Sequence, residues 1–253
     1  MDMKADTIGV IPARLQSSRF PKKLIQKING FPLVYHTYRR VVESGAFGDV
    51  IVAADDPEIQ DVLSGLSVPV LLTDPSHPSG TFRIIEVMEK KPEYPFFVNI
   101  QGDEPLIPPE TIHAVVQTLH GHGNGVATAA MKITEETAYL DPNTVKVVFN
   151  EAGKALYFSR SPIPHDRDKK DLFRSFFPYK HIGIYGYSRE ALRTIKNLKE
   201  SILENLEKLE QLRFLDGGVD IRVAITTKDS IGVDTREDFD KVKYILESGN
   251  KRE

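Results

Sequence analysis

The chain has 253 residues, a formal net charge of −3 and no cysteine. That length holds one large domain or two small ones with ample burial. The near-neutral balance provides no global basic field for nucleic acid or a membrane surface, and the lack of cysteine excludes a disulfide framework, a thiolate metal site and a thiol nucleophile.

The N-terminal Met-Asp-Met-Lys-Ala-Asp is polar, so no secretory leader is expected. The apolar runs fall far short of the roughly 20 residues of a membrane helix. A soluble, cytoplasmic protein without membrane insertion or nucleic-acid binding is the expectation.

Residues 8–13 (Ile-Gly-Val-Ile-Pro-Ala) predict a buried first strand. Directly after it come Arg14, Ser17, Ser18, Arg19, Lys22 and Lys23, four cations and two hydroxyls within ten residues. Ligands of open α/β sheets bind at that carboxyl edge, and this loop suits a polyanion such as a nucleoside triphosphate. It lacks both the P-loop and the dinucleotide glycine patterns, so side chains would do the holding, with Arg forks and a Lys point charge. A solvated, cation-rich turn has the same composition, and the loop alone does not separate the two.

Helix-like segments 33–44, 57–64, 81–91 and 109–120 alternate with strand-like runs 48–54, 69–73 and 95–100. Continuous apolar strands alternating with helices indicate a mostly parallel sheet covered on both faces. Asp55 and Asp56 ahead of Pro57 read as a helix cap. Ser79-Gly80-Thr81-Phe82-Arg83 opens the third helix; its backbone N–H groups and Arg83 can hold an anion or a base edge, and an ordinary N-cap is equally adequate. Gln101-Gly102-Asp103-Glu104-Pro105 follows the fourth strand. Its carboxylates at the edge of the cationic loop make sense with Mg²⁺ between them and a phosphate, or as a capping turn.

The second half carries strand candidates 125–131, 145–149 and 154–158, then an excursion over 160–180 rich in Pro, Phe and charge. Strand 181–187 alternates so that His181, Gly183, Tyr185 and Tyr187 share one face, suited to a sugar or to a half-buried sheet face. Helix 188–196 follows, then a helix over 201–215. At about 100° per residue, Glu210 falls on the arc of Leu203, Leu206 and Phe214, with Arg213 beside Leu206. A carboxylate on an apolar stripe needs a partner: either an i,i+3 pair with Arg213 or a hydroxylated ligand, with Gln211 adjacent. Arg160 is a further anion partner. Strand 220–225 leads to Ile231-Gly-Val-Asp234-Thr235 and a last helix, 236–248, capped by Thr235. Asp234 is a helix-start residue or, with Asp103, part of a Mg²⁺ site. One domain over 1–253 with an inserted arm is the economical organisation.

These blocks together resemble the 3-deoxy-manno-octulosonate cytidylyltransferase family over residues 7–247. They are Ile11-Pro-Ala-Arg14 with Ser18-Arg19 and Lys23, Gln101-Gly-Asp-Glu-Pro105, Ala155-Leu-Tyr-Phe-Ser-Arg160, His181-Ile-Gly-Ile-Tyr-Gly-Tyr187, Leu209-Glu-Gln-Leu-Arg213 and Gly232-Val-Asp-Thr235. The first block is shared with sialic-acid cytidylyltransferases; the later ones favour the octulosonate branch. The resemblance implies a Rossmann-like nucleotidyltransferase fold, a homodimer with an arm at about 154–180 for dimerisation or substrate, and reaction of CTP with a 3-deoxy-octulosonic acid in lipopolysaccharide biosynthesis. It implies that Arg14, Ser18, Arg19 and Lys23 bind the triphosphate, with Ser79, Gly80 and Arg83 also on the nucleotide. Asp103 and Asp234 hold Mg²⁺ and, with Lys23, form the catalytic set. Gln101, Arg160, His181, Tyr185, Glu210 and Gln211 surround the sugar acid.

Three positions depart from the family pattern. Lys22 and Leu24 stand where Pro-Gly-Lys-Pro has glycine and the second proline, and Phe82 stands where an acidic residue precedes the Arg. These changes leave room for a related acceptor, an 8-amino-octulosonate or a sialic acid, and for a non-catalytic nucleotide-binding paralogue.

Overall fold

The computed structural model describes residues 2–249. In chain order the strands are β1 (Thr7–Ala13), β2 (Lys27–Ile28), β3 (Phe31–Pro32), β4 (Asp49–Ala54), β5 (Val70–Leu72), β6 (Phe96–Asn99), β7 (Val126–Lys132), β8 (Lys146–Phe149), β9 (Ala155–Ser159), β10 (Tyr179–Ser188) and β11 (Ile221–Thr226). The helices are α1 (Leu33–Glu43), α2 (Pro57–Leu63), α3 (Gly80–Lys90), α4 (Pro109–His122), α5 (Glu136–Leu140), α6 (Arg189–Lys196), α7 (Ile202–Glu207), α8 (Gln211–Asp216) and α9 (Arg236–Gly249), with a 3-10 turn at Lys23–Ile25. The chain divides into two compact units, one of residues 1–113 with 230–253, the other of residues 114–229.

The first unit is a parallel sheet in the order β6-β1-β4-β5. Successive side chains of a strand point to opposite faces, yet Ile8, Gly9, Val10 and Ile11 are all buried, as is every residue of β6. Both faces are therefore covered, which is why these strands read as unbroken apolar runs. In register, Ala13 pairs with Ala54 and Val10 with Asn99. The loops that leave β1, β4 and β6 thus emerge at one carboxyl edge. Asp56, not Asp55, caps α2, accepting from Glu58 N at 2.8 Å.

Between β1 and α1 lies a hairpin, β2–β3, absent from the sequence-based reading. Its turn, Asn29-Gly30, has φ of 50° and 82°, the left-handed pair that an Asn-Gly turn adopts in two-residue hairpins. That dipeptide was the available signal.

In the second unit β7 runs parallel to β11 and antiparallel to β10, which also pairs with β8; β8 and β9 form a hairpin. The β10–β7 register shifts between Ile182 and Tyr185. Two residues lie in the interruption, an even number, so His181, Tyr185 and Tyr187 keep one face: their ring centroids follow at 5.3 and 6.0 Å. Residues 160–178 form the expected excursion, organised in part by Asp166, whose carboxylate accepts from Asp171 N and Leu172 N.

The continuous helix expected over 201–215 is two. Ser201 opens α7 with a capping box, and Lys208 ends it in the left-handed conformation, φ 53°. The break removes the helical arc that placed Glu210 beside Leu203 and Leu206. Both leucines are exposed, whereas Leu209, Leu212 and Phe214 are buried. Arg213 folds back onto Glu204, with two N–O contacts of 2.7 Å, and Glu210 adds a favourable charge beside it.

Candidate active site

The loop after β1 is anchored by a carboxylate read from sequence as part of a cap. Asp55 Oδ1 accepts from Leu15 N at 2.9 Å, while its own N–H donates to Ala13 O at 3.1 Å. Behind it Arg83 is fully buried, its guanidinium donating to Thr73 Oγ1 and lying 3.8 Å from Asp55 Oδ2. Burial lowers the Arg83 pKa, and Asp55 opposes that shift. Arg83 does not line the cavity beside the loop. Its contact is with the residue that fixes the loop.

That cavity has a volume of about 400 Å³, within the range of small-molecule sites. Arg14 and Lys23 supply its cations; Ser17, Ser18 and Ser79 supply hydroxyls; Gly80, Gln101 and Asp103 also line it, whereas the predicted Arg19 and Asp234 are not among its lining residues. Arg14 is exposed, with one Nη on His77 O at 2.9 Å. Ser79 caps α3, its hydroxyl accepting from Phe82 N. Gly102 packs where a Cβ would come within 3.0 Å of Pro12 O, so the strand ends approach at backbone distance only because no side chain intervenes.

Lys23 links the two candidate metal ligands. Its buried ammonium donates to Asp103 Oδ2 at 2.5 Å, Val233 O at 2.7 Å and Asp234 Oδ1 at 3.1 Å. The other oxygen of Asp234 meets Arg19 at 3.0 Å. Asp234 is held in place by the start of α9: Asp238 Oδ2 accepts from Asp234 N, Thr235 N and Thr235 Oγ1, and Thr235 Oγ1 accepts from Asp238 N. Two carboxylates and two loop cations thus form one neutral cluster. Among the described residues no group of three or more His, Asp or Glu side chains is placed to hold a metal. A pair sharing one cation does fit Mg²⁺, which takes one or two carboxylates together with substrate phosphates.

Lys22, the residue in glycine's place, has φ 56° and ψ 27°, the left-handed region where glycine is at no disadvantage. Its ammonium turns away to Glu58, at 2.7 and 2.8 Å.

In the second unit, His181 Nε2 lies 2.9 Å from Thr128 Oγ1, whose hydroxyl is 2.8 Å from Ile184 O. The one hydroxyl proton goes to that carbonyl, so the threonine accepts from His181, and the neutral imidazole keeps a lone pair on Nδ1. Desolvation brings His181 down to about 3, so it is uncharged at neutral pH. Burial, with Tyr187 and Glu210 adding to it, raises the Tyr185 phenol well above its ordinary value. Glu210 is half-buried next to buried Gln211 at the start of α8. Arg160 donates through Nε to Glu207 O at 2.8 Å and through Nη1 to Pro142 O at 3.1 Å. Glu207 in turn accepts from Ser159 Oγ and Arg160 N. Thr128, Glu207 and Asp55 were not singled out as functional in the sequence-based reading. For Asp55 its place straight after a parallel strand was a signal; the other two carry none.

Several known proteins are similar to this chain. A family model described as cytidylyltransferase matches residues 8–221. A 3-deoxy-manno-octulosonate cytidylyltransferase of Thermodesulfovibrio yellowstonii is 42% identical over 249 residues, covering 95% of this chain and 98% of that protein. Another, of Polynucleobacter asymbioticus, is 44% identical over 247 residues, covering 95% and 96%. A solved structure of CMP:2-keto-3-deoxy-manno-octonic acid synthetase complexed with CTP superposes with a TM-score of 0.90 at 37% identity, over 97% of this chain and all of that one. A putative glucose-1-phosphate thymidylyltransferase from Bacillus anthracis, at 17% identity and a TM-score of 0.65 over 94% of each chain, shares the fold.

Proposed function

The chain belongs to the cytidylyltransferase family, in its 3-deoxy-manno-octulosonate branch, and from that premise we propose that it activates a 3-deoxy-octulosonic sugar acid with CTP. The observation that carries the reading is the meeting of Lys23 and Arg19 with Asp103 and Asp234 beside a cavity of about 400 Å³ at the carboxyl edge of β1 and β6.

The anomeric C2 hydroxyl oxygen forms a bond to the α-phosphorus as the bridging P–O bond breaks. The electron pair leaves with pyrophosphate and the hydroxyl proton passes to solvent. Little covalent chemistry falls to the protein, so positioning and charge stabilisation supply most of the rate. Arg14, Ser18, Arg19 and Lys23 hold the triphosphate. Its anionic oxygens offer Lys23 and Arg19 an alternative to the carboxylates they now contact. Ser79 and Gly80 contribute the start of α3, while Arg83 acts indirectly through Asp55.

Asp103 and Asp234 would hold Mg²⁺, which when bound draws hydroxyl and α-phosphate together and lowers the hydroxyl pKa. On the sugar acid, Arg160 presents its charge to the carboxylate. Neutral His181 accepts a hydrogen bond from a sugar hydroxyl at Nδ1, and Tyr185 stays protonated and donates one. Gln101, Glu210 and Gln211 complete the polar set. A cytoplasmic homodimer, with the arm at about 154–180 at the subunit or substrate contact, and a place in lipopolysaccharide biosynthesis belong to the same proposal. No described helix is long and apolar enough to cross a membrane.

A pyrophosphate-release screen over sugar acids and all four nucleoside triphosphates tests it. Release is expected with CTP and 3-deoxy-manno-octulosonate together. Heat of CTP binding without release for any acid would establish a non-catalytic nucleotide-binding protein instead.

A further inference from the structure

Lys146, the first residue of β8, is completely buried, yet no carboxylate among the described residues pairs with it. Its ammonium donates to Asp141 O at 2.9 Å, Thr144 O at 2.6 Å and Arg160 O at 2.6 Å. An ammonium has three N–H donors, and all three are used on backbone carbonyls. Burial lowers its pKa, with Asp141 and Glu207 opposing that shift. Withdrawing a cation from water costs several kcal/mol even after relaxation, and a methionine would fill the same space without that penalty. Packing therefore does not explain a lysine here; what it adds is the joining of three carbonyls.

Those carbonyls belong to two segments that converge on Arg160. One is the loop after α5, residues 141–144; the other is the end of β9. The Arg160 guanidinium rests on the same loop through Pro142 O, and on Glu207 O at the end of α7. Its backbone N–H is held by the Glu207 carboxylate at 2.9 Å. The guanidinium is thus oriented by carbonyls, forms no ion pair among the described residues, and keeps its charge for an anion.

We infer that Lys146 is a positioning residue for the acceptor substrate: by tying the 141–144 loop to the end of β9, its ammonium holds the Arg160 guanidinium in place for the carboxylate of the sugar acid. The inference rests on the reading above, in which Arg160 meets that carboxylate.

The test is a double-substitution cycle on the full chain, followed by pyrophosphate release. Lys146→Met keeps the length of the side chain and removes every donor. It is expected to raise the KM for the sugar acid by about tenfold and to leave the KM for CTP within about twofold, the mark of a lost acceptor contact. Arg160→Ala is expected to raise the same KM. In the double variant Lys146→Met should add nothing further, because residues acting through one contact are not additive. Lys146→Gln, which keeps an N–H donor, should recover part of the loss, and it carries the same cycle should Lys146→Met not fold. An unchanged sugar-acid KM in Lys146→Met, or a full multiplicative rise in the double variant, would overturn the inference alone. An unchanged KM in Arg160→Ala would overturn the role of Arg160 and this inference with it.

Discussion

Lys23 stands between Asp103 and Asp234, its ammonium 2.5 Å from one carboxylate and 3.1 Å from the other. The lysine meant for phosphate and the carboxylates meant for metal therefore satisfy one another. A divalent ion approaching the free protein must compete with that ammonium. In Lys23→Met the competition is gone, and binding of Mn²⁺ to the free protein, read by calorimetry, should tighten by about tenfold, equivalent to about 1.4 kcal/mol. The same variant should lose CTP affinity by at least about tenfold, since hydrogen bonds to charged groups contribute roughly 1.5–3 kcal/mol. Weaker Mn²⁺ binding would show that the lysine organises the carboxylates and does not compete for them.

Asp103 is half-buried at the edge of the cavity, and it is not needed for the core. Asp103→Asn removes its charge at nearly constant shape. Turnover in Mg²⁺ should fall by at least about a hundredfold, given the several kcal/mol of charge stabilisation a metal supplies. The fold should be kept but with a lowered unfolding midpoint, because the buried Lys23 ammonium retains only Val233 O and Asp234 as partners. Near-normal turnover would place the metal elsewhere.

Lys22 is held at φ 56° and its ion pair with Glu58 is exposed. Left-handed backbone costs a non-glycine residue roughly 1–2 kcal/mol. Against that, Lys22→Gly gives up a surface pair of about 0–1 kcal/mol and adds about 0.5–1 kcal/mol of chain entropy to be lost on folding. The terms nearly cancel. The variant should keep its stability and its CTP kinetics, measured by thermal melts and initial rates; a large loss of CTP affinity would assign the Lys22 side chain a role in the triphosphate site.

His181 is uncharged in the fold, its pKa brought from 6.5 to about 3 by desolvation. As pH falls below about 6.5 the unfolded chain takes up this proton first, so the stability the neutral ring contributes is complete above that value and is lost progressively toward 3. His181→Gln should therefore show a shallower decline of the unfolding midpoint between about pH 6.5 and 4 than the parent protein. An identical acid profile in the two would mean the ring is solvated enough to titrate normally.

The arrangement of the first unit was legible because its physics is local. Strands buried on both faces must be continuously apolar, and the loops at their carboxyl ends carry the chemistry, so residues 8–23 and 101–105 stood out by type alone. The turn Asn29-Gly30 was equally local and only needed reading. Helix 201–215 was not legible in the same way. Its periodicity was sufficient for one amphipathic helix, and the break at Lys208 accompanies a tertiary ion pair, Glu204 with Arg213, that no helical wheel contains.

Residue types and their spacing thus decided the mostly parallel sheet, the cationic loop after β1 and the acidic turn after β6. Only the folded chain decided partnerships. It buried Arg83 behind Asp55 and sent Lys22 to Glu58. It also set Lys23 between two aspartates that lie 131 positions apart in the chain. A sequence records which charges are available, whereas which charge meets which is a matter of distance and desolvation, and those exist only once the strands have brought their ends together.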